Sequence, residues 1–216
     1  MISTSPERSA QGAVPAAGAR DPPRCAEAVR LVQGALRALN AIVRKQQPED
    51  YEAIRHVYAE AFLRPGFRPP RSPGSVPPEV PLFEALWEAG DVIPELSFTA
   101  LTDGVVVGHV TASRATVAGD PVVAVGPIGV LPDQQGTGIG SALMNALIDA
   151  ADAADVPLVV LLGAPQYYGR FGFRPAGELG VISPVPDWGG AFQARPLTAY
   201  TESVAGRFQY APAFSS

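Results

Sequence analysis

The sequence predicts an α/β (α+β) fold in which helices flank a mixed sheet, and three observations support this class. Between residues 121 and 162, an apolar strand segment is followed by a glycine-rich turn, an amphipathic helix and a second apolar run. Within 96–117, two strand segments meet at an Asp-Gly pair, which is a strong hairpin signal. A further amphipathic helix is expected after Pro48.

The first 40 residues divide into two segments of different composition. Residues 1–24 are rich in small residues, proline and arginine and hold few large apolar side chains, so we expect a disordered tail. Residues 25–40 predict an appended amphipathic helix, because apolar residues recur every three or four positions: Val29, Val32, Leu36 and Leu39. This helix packs on the domain or on a second subunit of a homodimer, or it is only partly formed in isolation.

The folded domain is expected over 41–216 and begins with a short strand, 41–44. Pro48 suits the first turn of the helix that follows, and the acidic residues beside it lie at the positive end of the helix dipole. Apolar residues repeat along one face of this helix: Ile54, Val57, Tyr58 and Phe62.

A proline-rich segment, 64–81, interrupts the domain and cannot form regular helix or a central strand. A short helix is predicted after it, over 82–89. Two strands follow, 96–102 and 105–117, and the Asp-Gly pair at 103–104 joins them as a hairpin.

The strand predicted over 121–131 contains Pro127, which cannot donate to a ladder, so a bulge or a sheet edge is expected there. The next helix starts near Gly138 and ends before Pro157. Its apolar face consists of Ile139, Leu143, Ala146, Leu147 and Ala150. The run 158–162 fits a buried strand, which completes a βαβ unit.

Residues 135–140 read Gln-Gly-Thr-Gly-Ile-Gly and carry the strongest functional signal. Alternating glycines let the backbone turn sharply and approach a ligand, and a helix start binds phosphate through its unpaired amides and its dipole. The dinucleotide pattern G-x-G-x-x-G fails, because its sixth place is Ser141 or Leu143, and no Gly-Lys pair allows a Walker loop. A glycine-rich turn without a chemical role remains the alternative.

Three segments of the chain, in order, resemble the GNAT superfamily of N-acetyltransferases. The stretch VLPDQQGTGIGSALM is similar to the acetyl-CoA-binding segment of that superfamily, and LLGAPQYYGRFGF is similar to the strand and helix that follow it. The opening IVRKQQPEDYEAIRHVYAEAF is similar to the first strand and helix. The C-terminal end, from AFQARPL to FQYAPAF, resembles a subgroup of small members, so the resemblance covers roughly 41–216. It implies a mostly antiparallel, twisted sheet with a splayed central pair of strands.

The resemblance also implies the activity, namely transfer of an acetyl group from acetyl-CoA to an amine of a small molecule or a protein. The diphosphate would bind the main chain of the glycine-rich turn, and the pantetheine arm would lie beside the preceding strand. A bulge near Pro127 would leave amides free to bond the arm and to stabilise the oxyanion, with Gly129 or Val130 as the donor. The expected cofactor-binding residues are Ile128, Gly129, Val130, Gln135, Gly136, Thr137, Gly138, Ile139, Gly140 and Ser141.

Tyr168 is the candidate general acid, because it precedes the Gly172-Phe173 pair by the four residues that the superfamily shows. A tyrosine with a pKa near 10 stays protonated at neutral pH and can donate a proton as the thiolate leaves. The alternative is that Tyr167 and Tyr168 only pack a short helix onto the core.

No general base can be identified in the sequence. His109 lies in a predicted strand, where we expect a hydrogen-bonded core residue rather than a group facing the pocket. Glu84 and Glu95 are further candidates, although Glu84 is expected on a solvated helix face. The resemblance implies that water can serve instead. It also makes the proline-rich segment a candidate lid over the acceptor pocket, with plain surface as the preferred interpretation.

Composition restricts the remaining possibilities. A net charge of −5 argues against nucleic acid as a partner, and no stretch is apolar for long enough to cross a membrane. One cysteine, Cys25, and the lack of a signal-peptide pattern favour a cytoplasmic protein. No His/Cys pattern has metal-ligand spacing, and we expect Asp149, Asp152 and Asp155 to form a solvated acidic face. A non-catalytic acyl-CoA-binding module and a nucleotide-binding protein remain as alternative functions.

Overall fold

The computed structural model describes residues 41–63 and 76–215. The predicted tail over 1–24, the predicted helix over 25–40, and most of the proline-rich segment lie outside the described residues. In the described part of the chain, no helix is long and apolar enough to span a bilayer.

Nine strands and four helices occur in the residues that the structure describes. The helices are α1 (Tyr51–Ala61), α2 (Glu79–Glu88), α3 (Ile139–Ala153) and α4 (Pro165–Tyr168). The strands are β1 (Ile42–Lys45), β2 (Phe98–Thr102), β3 (Val105–Val117), β4 (Asp120–Val130), β5 (Leu158–Leu162), β6 (Arg174–Pro175), β7 (Val181–Ile182), β8 (Phe192–Pro196) and β9 (Gly206–Tyr210).

The sheet has the order β1-β2-β3-β4-β5-β8-β6, with β9 paired to the far end of the long strand β3 and to β7. Among the strands described above, the β4–β5 and β7–β9 pairs are parallel and the other pairs are antiparallel. The predicted mixed and mostly antiparallel sheet is therefore confirmed. Helix α3 connects the parallel strands β4 and β5, as expected of the βαβ unit.

Two tight turns connect the long antiparallel strands. At the β2–β3 turn, Asp103 and Gly104 have φ values of 52° and 79°, and at the β3–β4 turn, Ala118 and Gly119 have values of 52° and 100°. Positive φ at both central residues matches the twist of the flanking strands. The predicted Asp-Gly hairpin is confirmed.

The predicted bulge at Pro127 is also confirmed. The register of β3 with β4 shifts between Val110 and Ala112, because Gly126 and Pro127 together oppose Thr111. Beyond this point β4 separates from β5, and the two strands pair only at Val123–Val159 and Ala124–Val160. The splayed central strand pair follows from this early end of pairing.

Helices cover both faces of the sheet around the bulge. A Cβ on Gly108 would lie 3.1 Å from side-chain atoms of Ile139 and Leu143 in α3, whereas a Cβ on Gly129 would lie 2.9 Å from the Tyr58 ring of α1. These two glycines belong to neighbouring register positions and point to opposite faces. Each allows one helix to approach the strands closely.

Two sequence-based boundaries are wrong by two or more residues. Helix α2 begins at Glu79 rather than at residue 82, because Pro81 occupies the first turn, where a missing N–H is tolerated. Strand β2 begins at Phe98 rather than at residue 96, because Pro94–Leu96 forms a 3₁₀ turn.

Candidate functional site

The candidate site is the opening between the carboxyl ends of the parallel strands β4 and β5. After their two paired positions, the strands diverge, so the last part of β4 has no partner on its β5 side. The glycine-rich turn follows the end of β4, and the α4 turn follows the end of β5. Ligands of open α/β sheets bind in such crevices at the carboxyl ends of strands.

The register assigns the amides of β4 to one side or the other. The amide of Leu131 donates to the carbonyl of Val107 at 2.8 Å, so Gly129, two residues earlier, also faces β3 and pairs with His109. The amides of Ile128 and Val130 point the opposite way, into the opening. Of the two expected oxyanion donors, Val130 therefore has its amide in the opening, whereas the amide of Gly129 belongs to the β3 ladder.

The glycine-rich turn is held by its own side chains. The Gln135 side-chain amide donates to the Val130 carbonyl at 2.9 Å, and the Thr137 hydroxyl donates to the Gln134 carbonyl at 2.6 Å. Gly136 and Gly138 have φ values of 77° and 97°, a region that favours glycine. Gln135 and Thr137 thus contribute to the shape of the turn, and the main chain remains for a ligand.

Helix α3 begins in this turn, and its first amides are free. Gly138 is the N-cap, no side chain caps the helix, and the first helical bond runs from Ala142 to the Gly138 carbonyl. Within residues 41–63 and 76–215, the amides of the first turn have no acceptor: Gly138, Ile139, Gly140 and Ser141. A helix start with four free amides suits an anionic group.

Tyr168 lies on the other side of the opening. Its ring packs directly against Gly163, where an added Cβ would lie 2.2 Å from the ring, so only glycine allows this position after β5. Burial, with a smaller contribution from Tyr167, raises the Tyr168 pKa to about 12. The hydroxyl has no hydrogen-bond partner among the described residues, yet it is not closed off from solvent. It is therefore a protonated donor without a partner.

Tyr167 connects the two sides, a role that the sequence analysis did not assign. Its hydroxyl lies 3.1 Å from the position of a Cβ on Gly140, so the α4 turn contacts the first turn of α3. Four residues of the site pack against the same apolar cluster: Ile128, Val130, Tyr167 and Tyr168. The sequence shows that Tyr167 and Tyr168 are adjacent, but it gives no signal for the contact between Tyr167 and Gly140.

His109 is a core residue, as expected. It is fully buried, its Nδ1 lies 2.6 Å from the Tyr58 hydroxyl, and its Nε2 lies 2.9 Å from Oε1 of Gln46. Burial lowers the His109 pKa to about 3, although Asp50 opposes the shift, so the imidazole is neutral near pH 7. Burial also raises the pKa of Tyr58.

The other candidate bases do not converge on the opening. Glu84 is ion-paired with Arg55 at 2.5 Å instead of lying on an open solvated face, which corrects the expectation for it. Glu95 is exposed on the 3₁₀ turn before β2. Asp152 accepts hydrogen bonds from Thr198, and no group of three or more potential metal ligands occurs in the described ranges.

Comparison with known sequences identifies similar proteins. Residues 52–173 match the acetyltransferase (GNAT) family, which covers more than half of the chain. The uncharacterized N-acetyltransferase YjhQ of Escherichia coli (strain K12) is 32% identical over 141 residues, which span 62% of this chain and 78% of YjhQ.

Two solved structures share the fold over most of their length. The GNAT family N-acetyltransferase YhbS from Escherichia coli, in complex with CoA, superposes with a TM-score of 0.71 and is 26% identical, covering 82% of this chain and 93% of YhbS. A GNAT family acetyltransferase from Brucella melitensis, in complex with acetyl-CoA, gives a TM-score of 0.63 at 29% identity, covering 81% of this chain and 97% of that protein.

Proposed function

Because this chain belongs to the acetyltransferase (GNAT) family, we propose that it transfers the acetyl group of acetyl-CoA to a primary amine of a small molecule or a protein. The observation that carries this proposal is the opening between β4 and β5. At its glycine-rich end are main-chain amides, and across from them is a protonated tyrosine hydroxyl; neither has a hydrogen-bond partner among residues 41–63 and 76–215.

The free amides of α3 are suited to the diphosphate of the cofactor. Four amides without an acceptor stand at the positive end of a fifteen-residue helix, and the backbone there carries no side chain at Gly138 and Gly140. The similar proteins from Escherichia coli and Brucella melitensis were solved with CoA and with acetyl-CoA, which supports the same ligand here.

The end of β4 is suited to the pantetheine arm and the thioester. The arm carries amide groups, and the amides of Ile128 and Val130 face the opening without a strand partner. When the amine attacks the thioester carbonyl, the carbonyl oxygen becomes negatively charged. The Val130 amide is the donor that stabilises this oxyanion. The amine nitrogen forms a bond to the carbonyl carbon, and the bond to sulfur then breaks.

Tyr168 acts when the thiolate leaves. A thiolate of this kind has a pKa near 8.5, whereas the pKa of Tyr168 is about 12, so the Tyr168 hydroxyl stays protonated and donates a hydrogen bond to the departing sulfur. The proton that the thiolate finally takes up comes from the positively charged nitrogen of the tetrahedral intermediate, which becomes the neutral amide. The place of Tyr168 beside Gly163 fixes its ring in the apolar cluster that also holds Ile128 and Val130. Tyr168 is thus the catalytic residue of the proposal.

A dedicated base is not required. In the described part of the chain, His109 is enclosed in the core and Glu84 is paired with Arg55, so neither can reach an incoming amine. We assign deprotonation of the amine to water in the opening. The rate should then rise with pH until the acceptor amine itself is largely neutral.

Two measurements test the function. Calorimetry with acetyl-CoA, CoA and ATP should show binding of the first two, and binding of ATP alone would refute the proposal. An amine panel, with thiol release as the signal, should show turnover with at least one primary amine. Tight acetyl-CoA binding without turnover on small amines or on peptide amino groups would identify a non-catalytic acyl-CoA-binding module instead.

A further inference from the structure

Arg170 carries a positive charge that no carboxylate neutralises in the described residues. Its guanidinium stacks over the Tyr167 ring at 4.0 Å from the centroid and lies 4.8 Å from the Phe171 centroid. Two other arginines, Arg44 and Arg55, have carboxylates at 2.5–2.8 Å. Arg170 is exposed, and its contacts with the described residues are to these aromatic rings.

The ring on which this charge is stacked also reaches the glycine-rich turn. The Tyr167 hydroxyl lies 3.1 Å from where a Cβ of Gly140 would stand, and it has no hydrogen-bond partner in the described part of the chain. Because the tyrosine ring is rigid and flat, the Arg170 guanidinium on its face and the Tyr167 hydroxyl at its edge keep a fixed spacing and form one polar surface. That surface adjoins the first turn of α3.

The turn that carries Arg170 is well fixed. The amides of Tyr167 and Tyr168 both donate to the Ala164 carbonyl, and the amide of Gly172 donates to the Gly169 carbonyl. Arg195 donates to the Phe171 carbonyl and thereby attaches the turn to β8. A long cationic side chain on such a turn, stacked on a ring, loses less conformational entropy when it binds a ligand.

We propose that Arg170, oriented by Tyr167, binds the diphosphate of acetyl-CoA at the start of α3; this inference rests on the proposed function. The diphosphate has at least two negative charges, whereas a helix start supplies about half of one positive charge. A guanidinium forks onto phosphate oxygens and supplies a full charge. Binding of the diphosphate would account for an exposed Arg170 without a carboxylate partner among the described residues, in a chain whose net charge is −5.

Calorimetry with CoA as the probe tests the assignment. Arg170→Gln keeps most of the side-chain stem and removes the charge, and Arg174→Gln is the matched control. Arg174 is exposed four residues further on, with only a 4.0 Å contact to Glu178. We expect Arg170→Gln to raise the Kd for CoA about tenfold, and Arg174→Gln to change it less than about twofold. Arg170→Lys, which keeps the charge but loses the fork, should fall between these values.

A second probe, 3′-dephospho-CoA, decides which phosphate Arg170 contacts. The tenfold loss should persist with this probe, because it retains the diphosphate, and a loss that occurs only with CoA would overturn the diphosphate assignment. An unchanged Kd in Arg170→Gln, with wild-type protein binding CoA, would overturn this inference and leave the proposed function standing. Failure of the wild type to bind CoA would overturn the proposed function itself. Thermal unfolding midpoints equal to wild type confirm that the variants are folded.

Discussion

The hydroxyl of Tyr58 donates a hydrogen bond to the carbonyl of Pro127 at 2.7 Å, which ties α1 to the bulge of β4. The same oxygen lies 2.6 Å from Nδ1 of His109 and 2.8 Å from the Thr111 hydroxyl, and all of these groups are buried. The bulge is the point where β4 leaves β5. The Tyr58 hydroxyl of α1 therefore provides a hydrogen bond for the Pro127 carbonyl, which the bulge removes from the β-ladder.

Tyr58→Phe should destabilise the domain markedly. The substitution leaves the Pro127 carbonyl and the polar atoms of His109 and Thr111 without their shared partner, so we expect a loss of about 3 kcal/mol in the free energy of unfolding. Urea denaturation measures it. Tyr51→Phe is the control, because Tyr51 lies on the same helix in an aromatic cluster with Phe83 and Trp87 and its hydroxyl makes no hydrogen bond in the described part. Equal, small losses in both variants would contradict the role of Tyr58.

His109 should make the protein acid-labile. Its pKa is about 3 in the folded state against 6.5 for a free imidazole, so below pH 6.5 the unfolded chain binds a proton that the folded protein does not. Its contribution to stability is complete above pH 6.5 and is lost as the pH falls toward 3, by up to about 1.4 kcal/mol per pH unit. The pKa of Asp50 is also depressed, although burial opposes the shift, because Arg44 and the Gln47 amide bond the carboxylate; its contribution is lost only at more acidic pH.

Denaturant unfolding between pH 4.5 and 7.5 measures this slope. Replacement of His109 by Gln should reduce this slope, whatever the change in absolute stability, and the same replacement at the exposed His56 is the matched control. These are the two histidines of the chain, so an NMR titration can follow both imidazoles in the wild-type protein. Protonation of the His109 ring near pH 6.5 in the folded state would refute the argument.

Tyr168→Phe should reduce acetyl transfer by about a hundredfold or more without weakening acetyl-CoA binding, since the hydroxyl acts only as the thiolate leaves. Single-turnover transfer to an amine from the panel measures the step. Tyr210→Phe is the matched control, because burial also raises its pKa to about 12 but it lies on β9. Wild-type rates in the Tyr168 variant would show that the ring only packs. The wild-type rate should also show no loss from Tyr168 ionisation below about pH 11, since a raised pKa keeps the acid protonated.

Gly138→Ala should weaken cofactor binding. At a φ of 97° an alanine is strained by about 1–2 kcal/mol, and relief of that strain would turn the first amides of α3 away from the opening. We expect the Kd for acetyl-CoA to rise about tenfold. Gly177→Ala is the control, because Gly177 has no positive φ and an added Cβ there meets no atom within 4 Å. Equal affinity in the two variants would argue against ligand binding by this helix start.

Much of the fold was predictable because its signals are local. The Asp-Gly turn, Pro127 as a bulge and the apolar face of α3 each depend on residues that are adjacent or one helical turn apart. The predicted start of α2 was wrong for a local reason too: a proline is acceptable at the third helical position, which Pro81 occupies.

The site divides in the same way. Its glycines and Tyr168 were identifiable from spacing and from the family resemblance, whereas the partners of Tyr58 and the contact between Tyr167 and Gly140 were not. Those contacts join residues that are 69 and 27 positions apart, by the differences 127 − 58 and 167 − 140. No periodicity reports them, because they depend on how whole strands and helices pack.

The sequence by itself determined the order of strands and helices as far as β5, the glycine-rich turn before α3, and the family to which those patterns correspond; it did not indicate β6 to β9. Backbone conformation and amphipathic periodicity depend on residues that are near one another in the sequence, so they can be recognised without a structure. The tertiary structure decided which amides of β4 face the opening, and it enclosed His109 in the core. It also set Tyr167, with Arg170 stacked on its ring, against the start of α3. These outcomes depend on strand register and on contacts across layers, which exist only when the chain is folded.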